Sequence, residues 1–232
     1  MKIIRNYQPP KLKVLVFGAT GLVGKELIEI LKKDDRYDRI VISNRRRIGY
    51  THERIHEVVV DFDNLKQTKE HFKVDQVFIC LGTTIKKAGS QQQFEKVDLF
   101  YPIEIAKIAA LCYINTLVHV SALGADKNAS NFYLRTKGKV EEGIEKHGPR
   151  LTFAVQPSML FGKREEKRIG ENIGKFLMKK LEFLMIGKLK KYRGIEAKDV
   201  ASAMIEIANK KPNQKRIPSE QLKVISKYNS SK

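Results

Sequence analysis

The sequence predicts an α/β fold, a doubly wound parallel sheet with a small C-terminal lobe at the ligand-binding ends of its strands. Three observations predict it. Short apolar runs alternate with amphipathic stretches over the first two thirds of the chain, as β-α-β units do. The first apolar run ends in three glycines spaced three apart, which open directly into a helical pattern. No internal repeat or low-complexity tract breaks this order.

Each element follows from its pattern. Residues 13–17 form a short apolar run that stops at a glycine, a buried strand. Residues 22–33 place Val23, Leu27, Ile30 and Leu31 on one helical face. Strands two, three and four are expected at 39–43, 56–60 and 75–80, with a short helix at 64–72. A long helix is expected over 91–112, strand five at 116–120, and a helix at 131–147 that Gly148-Pro149 stops. Strand six is expected at 151–155. Beyond Pro157 the pattern predicts amphipathic helices at 173–185 and 198–209, a basic loop at 210–217, a last strand at 222–226 and a frayed end. The whole chain, 1–232, reads as a single domain. Its core spans about residues 11–157, and a segment of about 158–226 packs over the carboxyl ends of the strands.

Composition narrows the class. With 232 residues and 42% hydrophobic content, the chain can bury a substantial core. Two cysteines, Cys80 and Cys112, cannot make a secreted-type disulfide framework and read as buried thiols. The first 13 residues lack the apolar stretch of a signal peptide, and no 18-residue apolar run is present, so no membrane span and a cytoplasmic location are expected. The net charge of +19 allows an anionic partner. The lysines are scattered among acidic residues, however, which favours a solvated surface. No helix-turn-helix, zinc or RNA-binding pattern accompanies them, so a nucleic-acid partner ranks last. The five histidines have no ligand spacing with the cysteines, so no metal is expected.

The chemistry begins at Gly18-Ala19-Thr20-Gly21-Leu22-Val23-Gly24. Gly18 lets the chain turn out of the strand, Gly21 leaves room for a pyrophosphate, and Gly24 lets the helix pack close. The helix N-terminus offers free amides to phosphates, and Thr20 a hydroxyl. A Rossmann-type dinucleotide site is expected there. At the end of strand two, where an acidic residue would hold the ribose of NAD, stand Asn44, Arg45 and Arg46. Arginine cannot accept from a hydroxyl but suits a 2′-phosphate, so NADP(H) is preferred, with NAD(H) allowed. The alternative is a basic surface turn. Asp61-Phe62 follows strand three, where an adenine would lie, although an ordinary polar turn fits almost as well. Cys80-Leu81-Gly82-Thr83 ends strand four, where a glycine permits close approach of the cofactor.

With these residues the chain resembles the short-chain dehydrogenase/reductase superfamily in its atypical or extended branch, nearest to the Tat-interacting oxidoreductase-like family. The resemblance rests on 15–24, on Val120-Ser121-Ala122-Leu123-Gly124-Ala125, on Tyr133-Leu134-Arg135-Thr136-Lys137 and on Gln156-Pro157-Ser158, and it runs from about residue 11 to 209. It implies Tyr133 as the acid/base, Ser121 as the partner of the substrate oxygen, Lys137 as the holder of the nicotinamide ribose, and Gln156, Pro157 and Ser158 against the nicotinamide. Spacing agrees for one pair: Tyr133 and Lys137 lie one turn apart on a helix, where a cationic lysine favours a phenolate. The family's helical Asn is replaced by Asp98, which leaves the proton relay open. His119, inside strand five, reads as a satisfied core residue. Glu196 and Asp199 read as a helix start. The expected function is an NADP(H)-dependent oxidoreductase acting on a small carbonyl or alcohol. The alternative is an NADP(H)-binding, redox-sensing regulator with a protein partner and little turnover. The substrate is not legible, and the amphipathic helices leave a homodimer open.

Overall fold

The computed structural model describes residues 9–162 and 193–227. Its strands are β1 (Leu12–Phe17), β2 (Tyr37–Asn44), β3 (Ile55–Val59), β4 (Gln76–Ile79), β5 (Thr116–Val120), β6 (Leu151–Gln156), β7 (Leu160–Phe161), β8 (Ile195–Glu196) and β9 (Arg216–Pro218). Seven of them form a parallel sheet in the order β3-β2-β1-β4-β5-β6-β9, and β7 pairs with β8 separately. This is a Rossmann-type α/β fold.

The two-residue period of a strand sends its side chains to opposite faces. In β1, Val14 and Val16 enter one core while Leu15 and Phe17 enter the other. The first core is closed by α1 (Leu22–Leu31) and α6 (Ala197–Lys210), through Val23 and Leu27 against Val200, Met204 and Ile207. The second is closed by a 3-10 stretch (Phe62–Phe72), α4 (Tyr101–Leu111) and α5 (Phe132–His147). Both faces are covered, which is why these strands read as apolar runs without alternation.

The long helix expected at 91–112 is a continuous rod of three segments, α, π and α. After the short α2 (Ile85–Ala88), α3 (Gln91–Glu95) passes into a π-helical segment (Lys96–Phe100) and then into α4. Such widened turns recur at functional sites, and this one carries Asp98.

Two C-terminal expectations are corrected. Residues 222–226 are helical, within α7 (Ser219–Lys227). A strand would bury Leu222 and Val224 on one face, but Val224 is 57% exposed while Leu222 and Ile225 both pack on the core, a helical spacing. The loop expected at 210–217 ends in β9, which adds the last strand beside β6 and buries Ile217. Pro218 is tolerated because β9 is an edge. The described part of the C-terminal segment therefore builds the sheet and one of its covering layers. The helix expected at 173–185 lies outside the described residues.

Candidate active site

The strand order reverses between β1 and β4, the place where open α/β sheets bind ligands. A cleft of about 350 Å³ opens there. Gly18 leaves β1 with a φ of +83°, and a Cβ on it would lie 2.5 Å from the Cys80 carbonyl carbon. A Cβ on Gly24 would lie 2.1 Å from the Gly18 carbonyl oxygen. Neither position can take a side chain unless β4 or α1 moves. The loop backbone is thereby clamped between them, with Thr20, Gly21, Leu22 and Val23 on the cleft wall and Ala19 wholly buried.

Among the described residues, nothing caps the start of α1. Gly21 provides no side-chain cap, and no acidic residue sits in the first turn. Its free amides and partial positive charge suit an anion. At the end of β2, Ser43 is 1% and Asn44 8% exposed, and both Ser43 Oγ and Asn44 Nδ2 lack a hydrogen-bond partner among the described residues. Buried polar atoms are rarely left so. A glycine cradle, a bare helix end and two orphaned polar groups together fit a dinucleotide. Arg45 and Arg46 follow, both exposed. Cys80, Leu81, Gly82 and Thr83 form the opposite wall. Cys80 and Cys112 are partly rather than fully buried. Burial nevertheless pushes the Cys80 thiol up to about 12.

Ser121 at the end of β5, and Tyr133 and Lys137 on α5, line the same cleft. Asn131 starts α5, its Oδ1 accepting from the Leu134 amide at 3.1 Å. Lys137 Nζ donates to Asp98 Oδ1 at 2.8 Å, with both residues buried. Asp98 Oδ2 accepts the Thr83 amide at 2.7 Å. One carboxylate thus joins the π-helical segment, the loop after β4 and α5. Burial opposes the Lys137 charge, but Asp98, with Tyr133 and Glu141, outweighs it and holds the lysine above its ordinary value. Tyr133 is 40% exposed, its ring 5.9 Å from Lys137 Nζ and packed beside Phe94.

Ser121 Oγ donates to Glu141 Oε1. Gln156 Nε2 donates to the same oxygen at 2.8 Å, and Arg216 Nε pairs with Glu141 Oε2 at 2.9 Å. Burial raises the Glu141 carboxyl above the usual carboxylate range, although Ser121, Gln156 and Arg216 pull it down. Sequence reasoning missed Glu141. Its one available signal is its position four residues after Lys137, the next turn of the same helix face.

The remaining expected site residues have partners within the fold. Asp61 caps the 3-10 stretch, accepting from the Asp63 amide at 2.9 Å and from Asn64 Nδ2 at 2.5 Å. Phe62 points into the core against Phe17 and Tyr101. The amide of Gln156 is engaged by Glu141. The Pro157 carbonyl accepts the Leu123 amide at 2.9 Å. Ser158 Oγ donates to the Arg193 carbonyl and shares a hydrogen bond with Ser219, which ties the exit of β6 to α7.

His119 is buried as expected, but it is not satisfied: its Nδ1 has no partner among the described residues. Burial, with Lys137 and Arg216 nearby, pushes it down to about 3 from 6.5. Between those values the unfolded chain takes up a proton that the folded chain refuses, so stability falls as pH falls. From about pH 6.5 to pH 4 the loss is on the order of 3 kcal/mol. Urea titrations over this range should show a flatter slope in His119→Leu, and a variant slope equal to that of the parent would exclude His119 as the cause.

Residues 13–96 match the family model of the semialdehyde dehydrogenase NAD binding domain. Protein HTATIP2 of Rattus norvegicus is 32% identical over 178 residues, covering 74% of this chain and 72% of that protein. Mitochondrial protein FMP52 of Debaryomyces hansenii is 32% identical over 161 residues, covering 68% of this chain and 70% of that protein. Among solved structures, the Bordetella bronchiseptica enzyme WbmG in complex with NAD superposes with a TM-score of 0.66 at 13% identity, over 98% of this chain and 80% of that one. UDP-N-acetylglucosamine 4-epimerase from Bacillus cereus gives 0.64 at 17% identity, over 92% and 83%. At these identities the structural likeness is one of fold. Among the described residues, no helix is long and apolar enough to cross a membrane.

Proposed function

Because the chain belongs to the family of HTATIP2 and FMP52, within the short-chain dehydrogenase/reductase superfamily, we propose that it is an NADP(H)-dependent oxidoreductase acting on a carbonyl or alcohol. The observation that carries the reading is the convergence of Ser121, Tyr133 and Lys137 on a cleft walled by the glycine loop. Gly18, Gly21 and Gly24 with the start of α1 would hold the pyrophosphate, Ser43 and Asn44 the adenosine ribose, and Arg45 with Arg46 a 2′-phosphate. A bound nicotinamide supplies or accepts the hydride. Tyr133 gives its proton to the carbonyl oxygen, or takes one from the alcohol, at the open mouth of the cleft. Lys137, held by Asp98, keeps a positive charge beside it. Ser121 directs its proton to Glu141 and turns oxygen lone pairs toward the cleft, so it accepts from a substrate hydroxyl and favours the alcohol as its ligand.

Titration with NADPH and with NADH, read as a rise in melting temperature, tests the cofactor assignment. NADPH should bind more tightly, and Arg45→Ala should weaken it about tenfold, the equivalent of roughly one charge-assisted hydrogen bond. Equal affinities, or an unaffected Arg45→Ala, would refute the preference.

The engagement of Ser121 by Glu141 and of Lys137 by Asp98 favours one other reading, an NADP(H)-binding, redox-sensing regulator with a protein partner. Tight NADPH binding without oxidation of NADPH by any of a panel of aldehydes and ketones would select it.

A further inference from the structure

Glu57 lies on β3, opposite Ile42 of β2 in the parallel register. Its carboxylate gathers three consecutive amides: Oε2 accepts from Ile48 at 3.2 Å and Gly49 at 3.1 Å, and Oε1 from Tyr50 at 3.2 Å. These amides belong to the turn that begins at Arg45, directly after the orphaned Ser43 and Asn44. Gly49 has a φ of +85°, and with it successive N–H groups face one side and form a concavity for an anion. Here the chain's own carboxylate fills that concavity. The turn is thereby shaped from within, and Arg45, Arg46 and Arg47 stand exposed on its outer side. Slight burial opposes the Glu57 charge, but the three amides and Arg47 outweigh it and hold the carboxyl below its ordinary value.

We propose that Glu57 is a positioning residue for cofactor choice: it holds residues 45–50 in the turn that presents Arg45 to a ribose 2′-phosphate, and so makes the site select NADP(H) over NAD(H). The inference rests on the assignment of Arg45 as the 2′-phosphate ligand. Charge and position predict opposite signs. As a charge, Glu57 repels a phosphate, and its removal should tighten NADPH binding. As an anchor, its removal frees six residues, and binding must order them again at an entropic cost. NADH makes no contact that depends on the turn, so its affinity should stay unchanged.

The experiment is a titration of the parent, Glu57→Ala, Glu57→Gln and Arg45→Ala/Glu57→Ala with NADPH and with NADH, with the melting temperature of each free protein as the check on folding. Glu57→Ala should weaken NADPH about tenfold, ~1.4 kcal/mol, and NADH less than about twofold. Glu57→Gln keeps one carbonyl oxygen for the amides and should fall between. The double variant should bind NADPH no more weakly than Arg45→Ala, because the anchor acts through the arginine. A preference for NADPH that is undiminished or grows in Glu57→Ala overturns this inference and leaves the Arg45 assignment standing, as does an additive loss in the double variant. Equal affinity of the parent for both cofactors overturns the Arg45 assignment and this inference with it.

Discussion

Tyr133→Phe is expected to lower turnover of a carbonyl substrate about 100- to 10,000-fold, the range that a positioned acid or base contributes. The substitution removes one oxygen and keeps the ring. Tyr133 is 40% exposed and its ring packs tilted beside Phe94, so the ring contact and the start of α5 should persist and the melting temperature should hardly move. Lys137 keeps its salt bridge to Asp98, so NADPH affinity should stay near that of the parent. The loss should therefore fall on kcat and leave cofactor binding intact, the signature of an interaction made in the transition state. Stopped and steady-state assays of NADPH oxidation on one responsive aldehyde or ketone would measure it. An unchanged kcat would exclude Tyr133 as the acid, and Ser121 would then be the hydroxyl to test.

Asp98→Ala is expected to cost about 3–5 kcal/mol of stability, because it leaves a buried ammonium without its partner. Asp98 is 1% and Lys137 5% exposed, so water does not replace the lost carboxylate. Two contributions can be separated. Asp98→Asn keeps an oxygen for the Thr83 amide but removes the charge, and it should lose less than the alanine variant. Asp98→Ala combined with Lys137→Met removes both charges and should recover much of the loss, since a buried pair is often no more stable than an apolar replacement. Chemical denaturation of the parent, Asp98→Ala, Lys137→Met and the double variant closes the cycle, with Asp98→Asn measured beside them. If the double variant is no more stable than Asp98→Ala, the pair is not what the carboxylate supports, and its hydrogen bond to Thr83 takes that role. The family's helical Asn could not do the same work here. An amide is neutral and would leave Lys137 charged in a buried place, whereas the carboxylate both neutralises it and ties the loop after β4 to α5.

In the C-terminal third, packing overrides local propensity. Val224 and Ile225 are β-branched and stand close to the apolar Leu222, and propensity favours a strand. Packing decided otherwise, because the surface available beside α6 accepts side chains at helical spacing. Lys210 to Arg216 is basic and polar, which reads as a loop, yet its last residues pair with β6 because that edge still lacks a partner. Asp61 and Phe62 follow β3, where an adenine or an ordinary polar turn is expected. The structure shows the Asp61 carboxylate capping the 3-10 stretch and the Phe62 ring in the core, contacts that are not visible in one dimension.

What the sequence determined by itself is whatever depends on local order along the chain. The glycine spacing demands a tight strand–helix turn, the apolar runs demand a sheet covered on both faces, and Tyr133 and Lys137 share a helix face by the geometry of one turn. Only the tertiary structure decided which distant groups meet. Asp98 and Lys137 are 39 residues apart, Ser121 and Glu141 20 apart, and Glu141 also meets Arg216 from the last strand. Such pairs form because a buried charge or hydroxyl must find a partner wherever the fold brings one, and that partner is set by the packing of layers rather than by its place in the chain.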